Sequence, residues 1–215
     1  MSPRLILGSA SPGRADVLTR AGLDFAVRVS SVDEDAAVEA ARAAGEEVTP
    51  ARMAALLAQA KAEAVARAVA EEDRGADEDL LVLGCDSVFE LDGVAYGKPH
   101  EPEVAISRWR EMRGRTGTLH SGHRLVRLRD GATAERTAST QVRFGTPSEE
   151  QIRAYAHSGE PLGCAGAFTI DGRGAAFIDG VDGDPQSVIG VSPRALGGLL
   201  AELDIDITTL WTHDR

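Results

Sequence analysis

Cysteine is almost missing from this sequence. Only Cys85 and Cys164 occur in 215 residues, too few for a disulfide framework and not spaced as metal ligands. A reduced, cytoplasmic setting fits that usage. Basic residues are also in deficit: 23 Lys and Arg stand against 34 Asp and Glu, for a formal net charge of −11. Such a balance argues against a protein that grips nucleic acid through a broad basic face. It still allows a small anionic ligand, because a few local cations or a metal set the sign inside a pocket. Long apolar runs are lacking as well. Near the N-terminus Arg4 is followed only by Leu5, Ile6 and Leu7 before Gly8, far short of a signal-peptide core, and no other run is long enough to cross a bilayer. Secretion, membrane insertion and nucleic-acid binding are therefore not expected, and there is no internal repeat.

What is present has the profile of a soluble α/β protein, with 43% hydrophobic residues, 27% charged residues and 23 glycines. The length suits one domain, or one domain with a smaller lobe. Leu5 to Leu7 read as a strand buried on both faces, and Val17, Leu18 and Ala21 recur at helical spacing up to Gly22. Phe25, Val27 and Val29 alternate as a second strand, followed by SSVDED. Thr49 and Pro50 are placed to start a long helix running to about Ala70, and Glu71 to Asp79 read as an acidic surface linker. Leu80 to Leu83 form a further buried strand, with Gly84, Cys85 and Asp86 at its carboxyl end. VAYGKP is expected to turn and Val104 to Met112 to be helical. Strands are expected at Leu119 to Leu128 and Ala138 to Phe144, then a helix with Pro147 and Ser148 at its start and Gly159 at its end. GAFTI and AAFID are expected to pair as a hairpin around Gly172 and Gly174, before a last helix from about Pro193 to Leu203. The alternation implies α/β with a mixed central sheet flanked by helices.

Several polar residues stand where chemistry or plain structure would each explain them. The run GSASPGR follows the first strand and opens a helix, so its amides, Ser9, Ser11 and Arg14 can converge on a phosphate or carboxylate. As an ordinary turn, the serines would cap the helix and Arg14 would be solvated; taken alone, the loop favours that turn. Lys61 falls in the apolar stripe of Met53, Leu57 and Val65, where it either serves a site or snorkels outward. Asp86 beyond a strand end can bind metal, act as a base or simply shape a turn. Lys98, between Gly97 and Pro99, is a cation on a stiff turn. Glu34, between Asp33 and Asp35, offers a second carboxylate or belongs to an acidic loop. Two carboxylates with open positions suit Mg²⁺ or a similar hard cation. Together these residues have one economical reading, a metal-assisted phosphate site. His120 and His123 are spaced to face opposite sides of a strand, so neither is assigned to a metal.

Taken in order, GSASPGR, the Asp-Glu of SSVDED, the lysine of LLAQAKAEAVA, GCDSV, YGKP, SGEP, AGAF and GDPQSVIGVSP resemble the Maf family of nucleoside triphosphate pyrophosphatases, first associated with septum formation. The resemblance covers about residues 4 to 203, and the SASPGR loop and the GDP-x-x-VIG ending are similar to the actinobacterial branch. It implies a mixed α/β fold related to the inosine triphosphate pyrophosphatases, a single domain over residues 1–215 with two lobes around one cleft. It also implies hydrolysis of a nucleoside triphosphate to monophosphate and pyrophosphate with a divalent cation, Mg²⁺ or Mn²⁺. Asp86 would match the proton acceptor, and Ser9, Ser11, Arg14, Lys61 and Lys98 the phosphate-binding groups. Glu34 would join Asp86 at the metal. Homodimers are common in that family, so a second copy of the chain is an expected partner.

The chain also departs from the family pattern. Where the branch that prefers thymidine and uridine triphosphates has a second loop arginine, a Thr and a Gln, Gly13, Ser87 and Asp171 stand here, so that base preference does not transfer. A lysine common after Gly-Glu-Pro is replaced by Cys164, which reads as a small buried residue rather than a nucleophile. Two other functions compete with the pyrophosphatase. A nucleotide-binding regulator of cell division would bind without turnover and would not need a base at Asp86. A phosphomonoesterase would release orthophosphate, but GSASPGR has no aspartyl nucleophile for the usual covalent route.

Overall fold

The apolar run after Arg4 does form a buried strand. In the computed structural model, which describes residues 3–72 and 79–212, β1 (Arg4–Leu7) pairs in parallel with β2 (Phe25–Val27) on one side and β3 (Leu80–Leu91) on the other. Antiparallel neighbours extend the sheet through β5 (Thr116–Arg127), β6 (Thr133–Phe144) and β7 (Ile178–Asp182). With the short β4 (Val94–Tyr96) hydrogen-bonded to β3, this is a seven-stranded mixed sheet in the order β2-β1-β3-β5-β6-β7, flanked by helices. The mixed α/β class is as expected.

The sequence reading ends the third strand at Leu83, and the structure corrects it. Pairing with β1 does stop at Leu83, but pairing with β5 continues from Gly84 opposite Arg124 to Glu90 opposite Thr118. Asp86 therefore lies in mid-strand, where the parallel ladder ends and the antiparallel one carries on. VAYGKP likewise contributes a strand, β4, before its turn. The second strand ends at Val27, two residues earlier than the alternation suggests, and Val29 is exposed.

Helix α1 (Pro12–Arg20) follows β1 directly, capped by Ser11. α2 (Glu34–Ala43), which was not separated from the Ala-rich stretch in the sequence, is capped by the Asp33 side chain. α3 (Pro50–Glu72) begins where expected: Thr49 Oγ1 accepts the amide of Arg52 at 3.2 Å. It takes in Glu71 and Glu72, while residues 73–78 of the expected acidic linker lie outside the described residues. α4 (Pro102–Met112) packs beside α5 (Glu149–His157), which Ser148 and Gln151 start with a reciprocal capping box. The short α6 (Pro185–Ile189) precedes α7 (Pro193–Glu202).

α3 lies almost on the sheet backbone, and two glycines allow it. A Cβ on Gly84 would sit 2.3 Å from the Ala58 carbonyl oxygen, and one on Gly122 would sit 2.2 Å from that of Ala54. Ala54, Ala58 and Ala62, four residues apart, form the helix side of this contact and are fully buried. Close approach here places the next residues of α3 over the middle of β3.

The expected hairpin of GAFTI and AAFID does not form. Residues 160–177 instead run as three short helical turns, Glu160–Gly163, Ala165–Ala167 and Arg173–Phe177. The Glu160 carboxylate accepts the amides of Arg173 and Gly174, both at 2.9 Å, so these N–H groups are taken by a side chain rather than a paired strand. Only the end of AAFID is extended, and it joins β7 against β6.

Candidate active site

The segment after β1 turns sharply, because Ser9 Oγ accepts the Ser11 amide at 3.2 Å and Ser11 Oγ accepts the Arg14 amide at 3.5 Å. Helix α1 then carries Arg14 back toward the sheet, where only 9% of it is exposed. Its guanidinium is held on three sides. Nε donates to the Gly190 carbonyl at 2.8 Å, Nη1 to Ser9 Oγ at 2.9 Å and Nη2 to Ser87 Oγ at 3.1 Å. A guanidinium has five N–H donors, so two remain for an anion. Ser9 spends its acceptor sites on Ser11 and Arg14, which leaves its O–H as a donor.

A second cation stands beside this one. Lys61, carried over β3 by the close seat of α3, places Nζ 2.5 Å from Asp86 Oδ1 and 2.7 Å from Glu34 Oε1. Glu34 is the first residue of α2 and half exposed, whereas Asp86 is buried. Burial pushes the Asp86 carboxyl above its ordinary range; Lys61 and Arg14 pull it back, and Glu34 adds to the rise. Both thiols are raised as well. Burial pushes Cys85 up to about 12, and Cys164 is also raised, by burial and by Asp171 and Glu160 nearby.

Apart from Cys85 and Gly190, these groups line one cleft of about 970 Å³. Ser9, Ser11, Gly13 and Arg14 form one wall, and Lys61, Asp86, Glu34 and Ser87 line it as well. Lys98 and Asp171 also border the cleft, but neither makes a hydrogen bond or ion pair with the Arg14 or Lys61 groups. Lys98 is exposed on the turn after β4, and Asp171 accepts a hydrogen bond from Thr169.

The donor set fits a hard divalent cation. Two carboxylates converge on a single point, which the Lys61 ammonium occupies, and oxygen donors of this kind leave coordination positions for water and phosphate. Among the described residues no group of three or more His, Cys, Asp or Glu is arranged to hold a metal, so substrate oxygens would have to complete the shell.

The Maf-like protein family profile matches residues 4–203. The chain belongs to the Maf family. Curated relatives named nucleoside triphosphate pyrophosphatase include one from Mycobacterium sp. (strain JLS), 48% identical over 99% of this chain and 100% of the relative. Another, from Streptomyces avermitilis, is 51% identical over 97% of this chain and 95% of the relative, and one from Nocardia farcinica is 48% identical over 99% of each.

In this Maf chain the sequence-predicted residues fall into two connected groups and two outliers. Ser9, Ser11, Arg14 and Ser87 are linked by hydrogen bonds, Lys61, Asp86 and Glu34 by ion pairs, and Lys98 and Asp171 stand apart across the cleft. Gly13 packs at the loop, where a Cβ would come within 3.1 Å of Ile189 Cγ2, so a larger residue there requires Ile189 to move. Cys164 departs from the expectation of a buried residue: it is half-buried on the cleft wall.

Sequence reasoning missed the support behind Arg14. Ser87 Oγ is 2.8 Å from Ser121 Oγ, which donates to the Ser187 carbonyl at 2.7 Å. A buried hydroxyl inside a strand leaves no local pattern that would mark it. The two β5 histidines sit on opposite faces and are engaged by the protein. His120 meets Glu90 and Ser139, while His123 Nε2 accepts the Ser192 amide and burial pushes its pKa down to about 4.

Proposed function

We propose that this chain hydrolyses nucleoside triphosphates to the monophosphate and pyrophosphate, with a divalent cation held between Asp86 and Glu34. What carries the reading is the convergence of Arg14, Lys61 and a buried Asp86 in one cleft of a Maf-family chain. The cation, when bound, supplies Lewis-acid stabilisation of charge on the phosphate oxygens. The two unused N–H groups of Arg14, the Ser9 hydroxyl and the loop amides around Ser11 bind the phosphate chain, while Lys61 and Lys98 neutralise the leaving pyrophosphate. Asp86 directs one carboxylate oxygen to the point it shares with Glu34 and offers the other to the attacking water, orienting it and accepting its proton, while Lys61 turns from that point to the pyrophosphate.

Asp171, apart from the Arg14 and Lys61 groups, borders the part of the cleft left for sugar and base, and together with Gly13 and Ser87 at the phosphate wall it sets the substrate preference. The chain works as one domain over residues 1–215, in the cytoplasm, where clearance of surplus or non-canonical nucleotides is its role.

The test is turnover of a panel of canonical and modified nucleoside triphosphates with Mg²⁺ or Mn²⁺, reading pyrophosphate and orthophosphate separately. We expect pyrophosphate release that a chelator abolishes. Direct orthophosphate release would mean a different bond is cut, and tight binding without turnover would make the protein a nucleotide-dependent regulator.

A further inference from the structure

The hydroxyls behind Arg14 form a chain whose hydrogens run in one direction. Ser121 has a single hydroxyl hydrogen, and it goes to the Ser187 carbonyl at 2.7 Å. Across the 2.8 Å contact with Ser87 it can therefore only accept, so Ser87 must donate to it. With its hydrogen committed, Ser87 Oγ presents lone pairs to Arg14 Nη2 at 3.1 Å. The line runs from Arg14 to Ser87, Ser121 and the Ser187 carbonyl, through residues far apart in sequence on β3, β5 and α6. Ser121 and Ser187 are completely buried.

Both ends of this line tie Arg14 to the same short helix. Ser187 belongs to α6, and Gly190, whose carbonyl accepts Arg14 Nε at 2.8 Å, is the residue that ends it. Gly190 has φ +125, and a Cβ there would lie 2.9 Å from Arg14 Nε, so the guanidinium is packed directly on this turn. A planar fork held at Nε, Nη1 and Nη2 cannot rotate about its last bonds. Without Ser121, the Ser87 hydroxyl regains a free rotor and can turn its own hydrogen toward the guanidinium, which weakens that hold.

We propose that Ser121, which lies outside the cleft, is a positioning residue that fixes the Arg14 fork for an anionic ligand by committing the Ser87 hydroxyl to accept. This rests on the phosphate-binding reading of the cleft but not on turnover. The test is calorimetric binding of inorganic tripolyphosphate to the full chain, beside steady-state hydrolysis of a nucleoside triphosphate. Ser121→Ala should weaken tripolyphosphate binding by about tenfold, the size of one lost hydrogen bond to a charged group. Ser121→Thr, which keeps the hydroxyl, should restore it. Thr140→Val is the structural control, because Thr140 is equally buried and its hydroxyl meets Ser187 Oγ at 2.8 Å without touching Arg14 or Ser87. It should lower the melting temperature without moving the affinity.

Should Ser121→Ala not fold, Ser121→Cys takes its place, since a thiol keeps the size with a much weaker donor. Unchanged affinity in folded Ser121→Ala, or in Ser121→Cys standing in for it, overturns the proposal, as does an equal loss in Thr140→Val. So does a wild-type chain that binds no tripolyphosphate, because the fork would then have no anion to meet. If Ser121 governs tripolyphosphate affinity while no nucleotide is hydrolysed, the pyrophosphatase reading fails and this one stands.

Discussion

The two ends of the sheet are packed from different residues. Around β1, α1 and α7 the core is aliphatic, built from Leu5, Leu7, Leu18, Leu83, Leu196 and Leu199. Around α4 and α5 it is aromatic. Phe89, Trp109, Phe144, Tyr155, Phe168 and Phe177 meet there edge to face, with ring centroids 5.0 to 5.8 Å apart. Of all the aromatic residues in the chain, only Phe25 and Trp211 lie outside this second cluster. β3 runs through both, with Leu83 and Cys85 in the first core and Phe89 and Leu91 in the second. Asp86 and Ser87 fall at the crossing, where side chains are held by charges and hydroxyls instead of apolar packing. Arg14 reaches them from the aliphatic side, and Lys61 from α3, whose Ala62 and Val65 pack in a separate cluster with Leu80, Val82 and Val126, whereas Lys98 and Asp171 stand on segments anchored in the aromatic cluster by Tyr96, Phe168 and Ile170.

Removing the charge at the crossing should have the largest effect. Asp86→Asn keeps the shape of the side chain but cannot take a proton, and positioned proton transfer is worth roughly 10² to 10⁴ in rate. Pyrophosphate release should fall by that order while nucleotide binding persists. Full activity in Asp86→Asn would move the base elsewhere. Next comes the contrast between the cores. Trp109→Ala removes the ring at the centre of the aromatic cluster, along with an indole N–H that donates to the Ala167 carbonyl at 2.7 Å. It should cost about 3–5 kcal/mol in chemical denaturation, near the top of the range for large-to-small core changes. Leu199→Ala in the aliphatic core should cost less, about 2–3 kcal/mol. If Leu199→Ala proves the more damaging, the aromatic cluster is not the stiffer half.

The acid limb of activity sharpens the crossing itself. A base works only when ionised, so kcat/KM should fall as pH drops through the Asp86 pKa, and burial sets that limb above the ordinary 3.8 of an aspartate. Lys61 pulls the pKa down. Lys61→Met should therefore move the limb to higher pH in a profile of kcat/KM, and a limb that moved lower would mean Lys61 does not face Asp86 in solution.

Much of this was legible in the sequence wherever the cause was local. Thr49 and Pro50 mark the start of α3 by capping chemistry, and Lys61 stands out because it interrupts a stripe of the correct period. The length of β3 was not legible. Gly84, Asp86 and Ser87 carry the composition of a turn, and what makes them strand is a partner, β5, some thirty-five residues away in the chain. Gly84 is there because α3 needs the space, a fact about packing that the local sequence does not carry. The false hairpin has a similar origin. Its glycines suggest a tight turn, but the Glu160 carboxylate, thirteen residues before Arg173, takes the amides that a second strand would have used. The ion pairs of Lys61 with Asp86 and Glu34 join residues that the sequence reading had already grouped, whereas the hydroxyl line through Ser121 has no sequence signature at all.

The smallest effect should appear at Asp171, and it bears on whether the two sides of the cleft act separately. Asp171 is exposed, and its carboxylate accepts from Thr169, so at the far wall it offers a substrate only acceptor capacity. A cytosine amino group would be welcome there and the keto oxygen of uracil would not. Asp171→Asn adds donor capacity at nearly constant shape, and it should shift the ratio of kcat/KM for cytidine over uridine triphosphate toward uridine. An exposed group exchanges such contacts with water, which limits the shift to about three- to tenfold. Tripolyphosphate has no base to meet Asp171, so its affinity should not change. If Asp171→Asn weakens tripolyphosphate as much as it alters the base ratio, the far wall is not a separate base subsite, and the charge of Asp171 acts across the whole cleft.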